Sequence, residues 1–328
     1  MSRCDFSLFF KRLENGESLG KEEALSVIGA PLDEVKDFSD RIRLRFAPND
    51  ELCAIVNGKS GRCSEDCRYC AQSAFHRTET AVYPLKDDSF LDDAYRKAEE
   101  NGLDHFSVVT SGRSLSGEEV KRLSALYARW SSFGKVKVCC SHGLLSAADF
   151  RLLADAGVSR YHCNLETSRR FFPSVCTTHS FDDKINTVRA AQTAGLEVCS
   201  GGIFGMGESW EDRIDMALEL RSLGIRSVPL NFLSPIRGTA FETLPPPDDE
   251  TACRVFGIFR MLLPSAFLRL AGGRASLNRA GVPLFEAGAN AAITGDLLTT
   301  GGGQADADRA ALARRQTGKG GSCDENAQ

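Results

Sequence analysis

Cys63, Cys67 and Cys70 lie in the stretch NGKSGRCSEDCRYCAQS, three thiols within eight residues at the spacing C-x3-C-x2-C. Zinc loops normally bring cysteines in pairs to close a four-ligand shell. Three thiolates from one short loop instead suit three corners of a cubic iron–sulfur cluster and leave one iron without a protein ligand. An iron left open can bind a small molecule and do chemistry, which a fully ligated electron carrier does not need. A zinc site completed by a distant residue is the weaker reading.

The elements that must position this loop can be read from the alternation of apolar runs. From about residue 51, short strand candidates alternate with helical segments: Glu51–Asn57, His105–Thr110, Lys135–Ser141, Arg160–Glu166, Leu196–Gly202, Ser227–Leu233, Phe267–Ala271 and Ala289–Thr294. Several intervening helices end at a glycine, at Gly102, Gly157, Gly195 and Gly224, as expected just past a helix C-terminus. Eight β-then-α units predict an α/β fold, a (β/α)8 TIM-type barrel with an N-terminal helical extension. The expected division is residues 1–45 for the extension, 46–305 for the barrel and 306–328 for a polar, disordered tail. In such a barrel the cysteine loop leaves the C-terminal end of the first strand, where barrel active sites sit.

The 328 residues, 42% hydrophobic, can bury the core of one large domain. A formal charge of −4 gives no electrostatic reason to expect a nucleic-acid partner. There is no apolar run long enough for a membrane span and no signal-peptide core, so the expected compartment is the cytoplasm. With twelve cysteines in a reducing compartment, clustered thiols point to metal or catalysis. Cys4, Cys253 and Cys323 read as unligated.

Strand parity sorts the remaining side chains. Leu52, Ala54, Val56, Phe106, Val108, Val138, Tyr161, Leu165, Val198, Val228, Leu230, Leu268 and Leu270 share one parity and should pack on the helices. The opposite parity turns Cys53, Asn57, Ser107, Cys139, Ser141, His162, Asn164, Glu166, Cys199, Asn231 and Arg269 inward. A purely structural barrel fills with Val, Ile and Leu. An interior of thiols, amides, an acid and an arginine is costly unless it holds a ligand or cofactor. Cys140 and Cys163 face outward on this count, although Cys163 adjoins the substrate-side motif; Cys176 is left undecided.

The cysteine loop, with the aromatic Tyr69 before its last cysteine, resembles the signature of the radical S-adenosylmethionine (SAM) superfamily. RYHCNLETS, CTTHSFDDKINTVRAAQTAGLEVCSGGIFGMGES, SVPLNFL, RLAGGR and GANAAITGDLLTT narrow the resemblance to the biotin synthase family over roughly residues 40–305. That resemblance implies a 4Fe-4S cluster on Cys63, Cys67 and Cys70 whose open iron chelates SAM, and a 5′-deoxyadenosyl radical that activates dethiobiotin. It implies Tyr69 against the adenine, and Asn164 and Glu166 on the SAM ribose, with Asn164 also facing dethiobiotin. Gly201 and Ile203 would lie beside the adenosyl group, and Asn231 on the ureido ring.

It also implies an auxiliary iron–sulfur cluster deeper in the barrel as sulfur donor, a 2Fe-2S cluster or a larger one. Cys139, Cys199 and Arg269 match three of its usual ligands, but Ser107 stands where a fourth, a cysteine, is usual. Inward-facing Cys53, or failing that Cys163, is the expected substitute. A low-potential flavodoxin or ferredoxin as electron donor and a homodimer are further implications. The alternative is another radical SAM enzyme on the same barrel with a different substrate.

Overall fold

The computed structural model describes residues 4–295 and 305–316. Three helices, α1 (Phe6–Glu14), α2 (Lys21–Val27) and α3 (Leu32–Phe46), precede the first strand. They build no separate core: their buried residues, among them Phe9, Leu13, Val35, Phe38 and Ile42, join one apolar cluster with the barrel.

Nine strand segments form eight staves: β1 (Glu51–Lys59), β2 (His105–Thr110), β3 (Lys137–Ser141), β4 (Arg160–His162), β5 (Glu197–Cys199), β6 (Gly202–Phe204), β7 (Ser227–Phe232), β8 (Phe267–Leu270) and β9 (Ala291–Ile293). Neighbours are parallel in the order β5-β4-β3-β2-β1-β9-β8-β7-β6, and β5 also meets β7 through Cys199 and Ser227, closing the barrel. Two of the expected strands are interrupted. The fifth breaks between Cys199 and Gly202, where Ser200 N donates to Ser227 O. The fourth pairs regularly only over Arg160–His162; beyond it Glu166 adopts φ 70° and bridges to Gly202. A left-handed residue cannot continue an extended ladder, so the stave turns there.

Around the staves run α4 (Asp88–Glu100), α5 (Gly117–Phe133), α6 (Ala147–Asp155), α7 (Phe181–Thr193), α8 (Trp210–Ser222) and α9 (Asp249–Leu262). Local sequence sets their starts. Ser116, Ser146, Ser180 and Ser209 each cap the backbone three residues on, and Glu119, Asp149, Asp183 and Asp212 cap in return, a reciprocal pairing in which the serine alone contributes about 1 kcal/mol. The glycines expected at helix ends follow α4, α6, α7 and α8. The outward face of the staves packs as the alternation required, with Val108, Val138, Tyr161, Leu165, Val228, Leu230, Leu268 and Leu270 all buried. Cys140 and Cys163 belong to the same apolar cluster.

The expectation of a disordered tail from residue 306 is corrected for part of its length. Ala305–Gln316 form a helix, α10, and Asp308 makes a bidentate pair with Arg274 at 2.6 and 2.8 Å, with both side chains essentially shut off from solvent. A polar-looking segment is ordered because Asp308 neutralises a buried guanidinium while Ala311 and Leu312 join the apolar core. Residues 317–328, which include Cys323, lie outside the described residues. Asp308→Ala strands that charge, and a loss of roughly 3–5 kcal/mol is expected, read as a lower urea midpoint; an unchanged midpoint would mean the helix contributes nothing to the fold.

Candidate active site

The inward face of the staves lines a cavity of about 370 Å³ that opens at the C-terminal end of the barrel. Cys53, Ser107, Cys139, Ser141, His162, Asn164, Glu166, Cys199, Asn231 and Arg269 all reach it, as do Tyr69, Cys70 and Ile203. Asn57 does not. It still pairs in register with Val109, the β1–β2 register shifting only beyond it before Lys59, and its Oδ1 is buried without a partner.

At the floor, Glu51 accepts from Arg269 Nη2 at 2.6 Å and Arg160 Nη1 at 3.1 Å, and lies 3.4 Å from His105 Nε2. Burial alone would raise the Glu51 carboxyl, but His105 and the two guanidinium groups hold it well below the usual carboxylate range. Arg269 Nη1 donates to Cys53 Sγ at 2.8 Å. Ser227 Oγ, 3.3 Å from Arg269 Nη2, donates to Cys199 Sγ at 3.2 Å, and His105 Nδ1 stands 3.3 Å from Cys139 Sγ. Three thiols from β1, β3 and β5 therefore surround a cationic floor. Burial pushes Cys53 up to about 12 and Cys139 up to about 11. At Cys199 burial acts the same way, but hydrogen bonding from His162 and the nearby arginines bring it down to about 6.

Above the floor come the amides. Asn164 Oδ1 accepts from Gly201 N at 3.0 Å. Asn231 Oδ1 accepts from Gly272 N at 2.8 Å, and its Nδ2 donates to Gly202 O at 3.0 Å. Each amide is fixed by backbone yet keeps an N–H and a lone pair for a ligand. A Cβ on Gly201 would lie 1.9 Å from Pro229 O, and one on Gly202 2.3 Å from Glu166 O, so only glycine lets the fifth stave pass here. Burial and the nearby Glu166 carboxylate push the Tyr69 hydroxyl well above its usual range.

The mouth is the cysteine loop. Cys63 N donates to Gln72 O, Ala74 N to Cys63 O, and Cys70 N to Cys67 O. Glu65 and Asp66 clamp the loop to Thr177, Thr178 and His179 beyond β4. The loop thiols sense one another electrostatically, Cys70 with both Cys63 and Cys67. Among the described residues they do not converge within 4.8 Å as ligands of a single ion would. That spread suits the corners of a cluster better than one zinc.

Whether the floor suits an iron–sulfur cluster is tested by its donors. Cys53, Cys139 and Cys199 are free thiols, Ser107 Oγ is buried with no partner, and Arg269 presents its guanidinium to the thiol of Cys53. An anionic, sulfide-bearing group would satisfy each of these, and the residues fit it. Cys163 faces the helices and is not the replacement for the missing thiolate.

Several site residues were not singled out from sequence. Glu51, His105 and Arg160 obey the same alternation as Cys53, Ser107 and His162, two residues earlier on each strand, so that signal was present. Lys184 on α7 carried none. Burial alone would lower its ammonium, but Cys163, Glu166, Cys67 and Cys176 raise it.

Residues 57–220 match the model of the radical SAM superfamily, and 229–317 that of the biotin and thiamin synthesis associated domain. A biotin synthase of Akkermansia muciniphila is 46% identical over 94% of this chain and 96% of its own. Biotin synthase 2 of Corynebacterium diphtheriae is 49% identical over 88% of each. Among solved structures, methylornithine synthase superposes with TM-score 0.79 at 17% identity, covering 94% of this chain and 95% of its own. The FeFe-hydrogenase maturase of Carboxydothermus hydrogenoformans gives 0.73 at 17% identity over 88% and 70%. These two share the barrel.

Glu51→Gln leaves Arg269 without its carboxylate and Arg160 with only the exposed Glu197, and the metal-free protein should lose roughly 3 kcal/mol at neutral pH. Because the folded-state pKa is depressed, this contribution is present above the unfolded value and lost as pH falls below it. The gap between wild type and variant in urea unfolding should therefore narrow below about pH 5. A gap constant with pH would show that the carboxylate charge is not its source.

Proposed function

This chain belongs to the biotin synthase family of radical SAM enzymes, and we propose on that footing how its own residues insert sulfur into dethiobiotin. The activity is the conversion of dethiobiotin to biotin. The observation that carries the residue assignments is that Cys53, Cys139 and Cys199 line the floor of one cavity whose other end is bordered by Tyr69 and Cys70 of the cysteine loop. Two fixed amides, Asn164 and Asn231, line it as well. When bound, the first cluster and SAM supply a 5′-deoxyadenosyl radical and the auxiliary cluster supplies the sulfur.

Cys63, Cys67 and Cys70 hold the first cluster, and Tyr69 lies against the adenine. Glu166, with Asn164 beside it, accepts from the ribose hydroxyls. The family more often has Asp at position 166; the glutamate here stands at a left-handed backbone position. The flat approach of Gly201 and the side chain of Ile203 seat the adenosyl group. Lys184, coupled to both Cys67 and Glu166, offers the positive charge that the SAM carboxylate needs. Asn231 holds the ureido ring, a neutral amide suiting a neutral urea, with Asn164 facing the same substrate.

Cys53, Cys139 and Cys199 hold the auxiliary cluster, with Arg269 as the further ligand or close hydrogen-bond donor. Cys53 serves in place of the thiolate that Ser107 lacks, supported by its 2.8 Å contact with Arg269. With a serine at the usual ligand position, a cluster other than the two-iron type is the reading we favour. Beyond holding these groups, the chain orients substrate and keeps water from a carbon radical. A low-potential flavodoxin or ferredoxin supplies electrons. No residue in the cavity favours the alternative of a different radical SAM substrate.

Reconstituted anaerobically with iron, sulfide, SAM, dethiobiotin and a strong reductant, the protein should yield biotin and deoxyadenosine by mass spectrometry. Deoxyadenosine without biotin would overturn the substrate or the second cluster. Cys53→Ala should lose auxiliary iron and its Mössbauer signal and make no biotin, while still cleaving SAM. Unchanged iron in that variant would sink its role as ligand. Asn231→Ala should raise KM for dethiobiotin by roughly ten-fold, the loss of one to two hydrogen bonds; a KM that does not move would remove Asn231 from the ureido site.

A further inference from the structure

The electron that the first cluster needs comes from outside the chain, so it must enter through the surface beside the cysteine loop. Two large apolar side chains stand open there: Phe75 is 64% exposed and Val82 58%. A single exposed apolar residue needs no account, but these two flank the same backbone. Ala74 N donates to Cys63 O at 2.8 Å and Cys63 pairs with Ser73, which puts Phe75 one residue beyond that bond. Val82 lies over Gly61, where an added Cβ would come within 2.6 Å of its Cγ2. Its neighbour Tyr83 exchanges both backbone bonds with Ser60 at 3.1 Å.

Arginines rim this patch. Arg62, Arg68, Arg77 and Arg237 are all exposed, and among the described residues none of them is ion-paired with a carboxylate. Arg62 directly precedes Cys63, and Arg68 directly follows Cys67. Arg68 stands over the Phe241 ring at 5.0 Å. A Cβ on Gly238 would lie 2.0 Å from Arg77 O, so the chain at Arg77 rests on the chain at Arg237. The acids of the cysteine loop are spent elsewhere: Glu65 and Asp66 face Thr177, Thr178 and His179, and Glu65 also takes Arg113. The exposed Glu79 and Glu242 on the same segments leave an excess of positive charge. In a chain of formal charge −4, that excess belongs to this face and not to the molecule as a whole.

We infer that this face is the docking site of an acidic flavodoxin, with Phe75 and Val82 at its centre and the four arginines as its rim. The inference rests on the reading that Cys63, Cys67 and Cys70 hold the first cluster. A cationic rim draws in and orients an acidic partner. A small apolar centre brings the two redox groups close without making a lasting complex, since electron-transfer encounters bury less than about 1,200 Å². A flavin presents an apolar ring edge at its protein's surface, which an aromatic and an aliphatic side chain match better than they match a cluster wrapped in backbone. In the step itself the anionic flavin hydroquinone gives one electron to the oxidised cluster and becomes the neutral semiquinone, with no proton to place.

The test uses the anaerobically reconstituted holoenzyme and a flavodoxin of net negative charge, with Kd measured by biolayer interferometry. The double variant Arg77→Glu/Arg237→Glu should weaken binding roughly ten-fold at low salt. That gap should close at about 1 M salt, where charges are screened beyond about 3 Å. Phe75→Ser should weaken binding roughly three- to ten-fold at either salt. Arg189→Glu/Arg226→Glu makes the same change in net charge at the N-terminal end of the staves, and should shift Kd no more than about two-fold. Driven by dithionite, all of these variants should cleave SAM as the wild type does. A flavodoxin that does not bind the wild type, or equal effects of the two double variants, overturns the proposal. So does a loss of dithionite-driven cleavage in the Arg77/Arg237 variant, which would place those arginines in the cluster site. A ferredoxin that binds through the same arginines where flavodoxin does not overturns the choice of carrier. Wild-type protein that holds its iron but cleaves no SAM with dithionite would sink the first-cluster reading instead, so the two failures are distinct.

Discussion

Glu51 stands between Arg160 and Arg269 at the barrel floor, and the rest of the interior depends on that contact. Two guanidinium groups taken out of water cost several kcal/mol each unless a charge meets them. Glu51 meets both, His105 shares it, and Glu197 adds a further contact to Arg160. With the arginines anchored, their remaining positive charge is directed at the thiols of Cys53 and Cys199. A floor of that kind is poor filling for a structural barrel and good bedding for an anionic cluster. The stability of the fold and the chemistry of the site thus draw on the same ion group.

The geometry above the floor follows from breaks in regular structure. The fifth stave is split at Ser200 and Gly201, and the fourth turns at Glu166. Each break frees backbone N–H and C=O groups that would otherwise serve the sheet ladder. Asn164 and Asn231 take up those groups, which fixes their amides against rotation before any ligand arrives. Such fixing lowers the entropy lost on binding. The positive φ at Glu166 turns a residue of the stave into one that reaches toward the mouth, within hydrogen-bonding reach of Tyr69.

The mouth is tied differently. The cysteine loop has few apolar anchors and is held through Glu65 and Asp66, whose acceptors saturate the donors of the segment 177–179. The bonds of this charged clamp are directional and local, so they fix the loop against the segment beyond β4.

The sequence by itself determined the barrel, the helix starts at the four serines, the three-thiol loop and the inward ring of Cys53, Cys139, Cys199 and Arg269. All of these are written in local patterns: a period of two along strands, a capping residue three before an acid, and a fixed cysteine spacing. Extending the same alternation would also have yielded Glu51, His105 and Arg160. What only the tertiary structure decided are relations between distant segments. The approach of Cys176 and His179 to Cys67 joins residues more than a hundred positions apart, and Lys184 faces Glu166 from a neighbouring helix. The order of the helix at Ala305–Gln316 rests on the Asp308–Arg274 ion pair and on the burial of Ala311 and Leu312. Asn57 keeps the strand's period and still does not line the cavity. Periodicity fixes which way a side chain points along one element; what it meets there is set by how the elements close on one another.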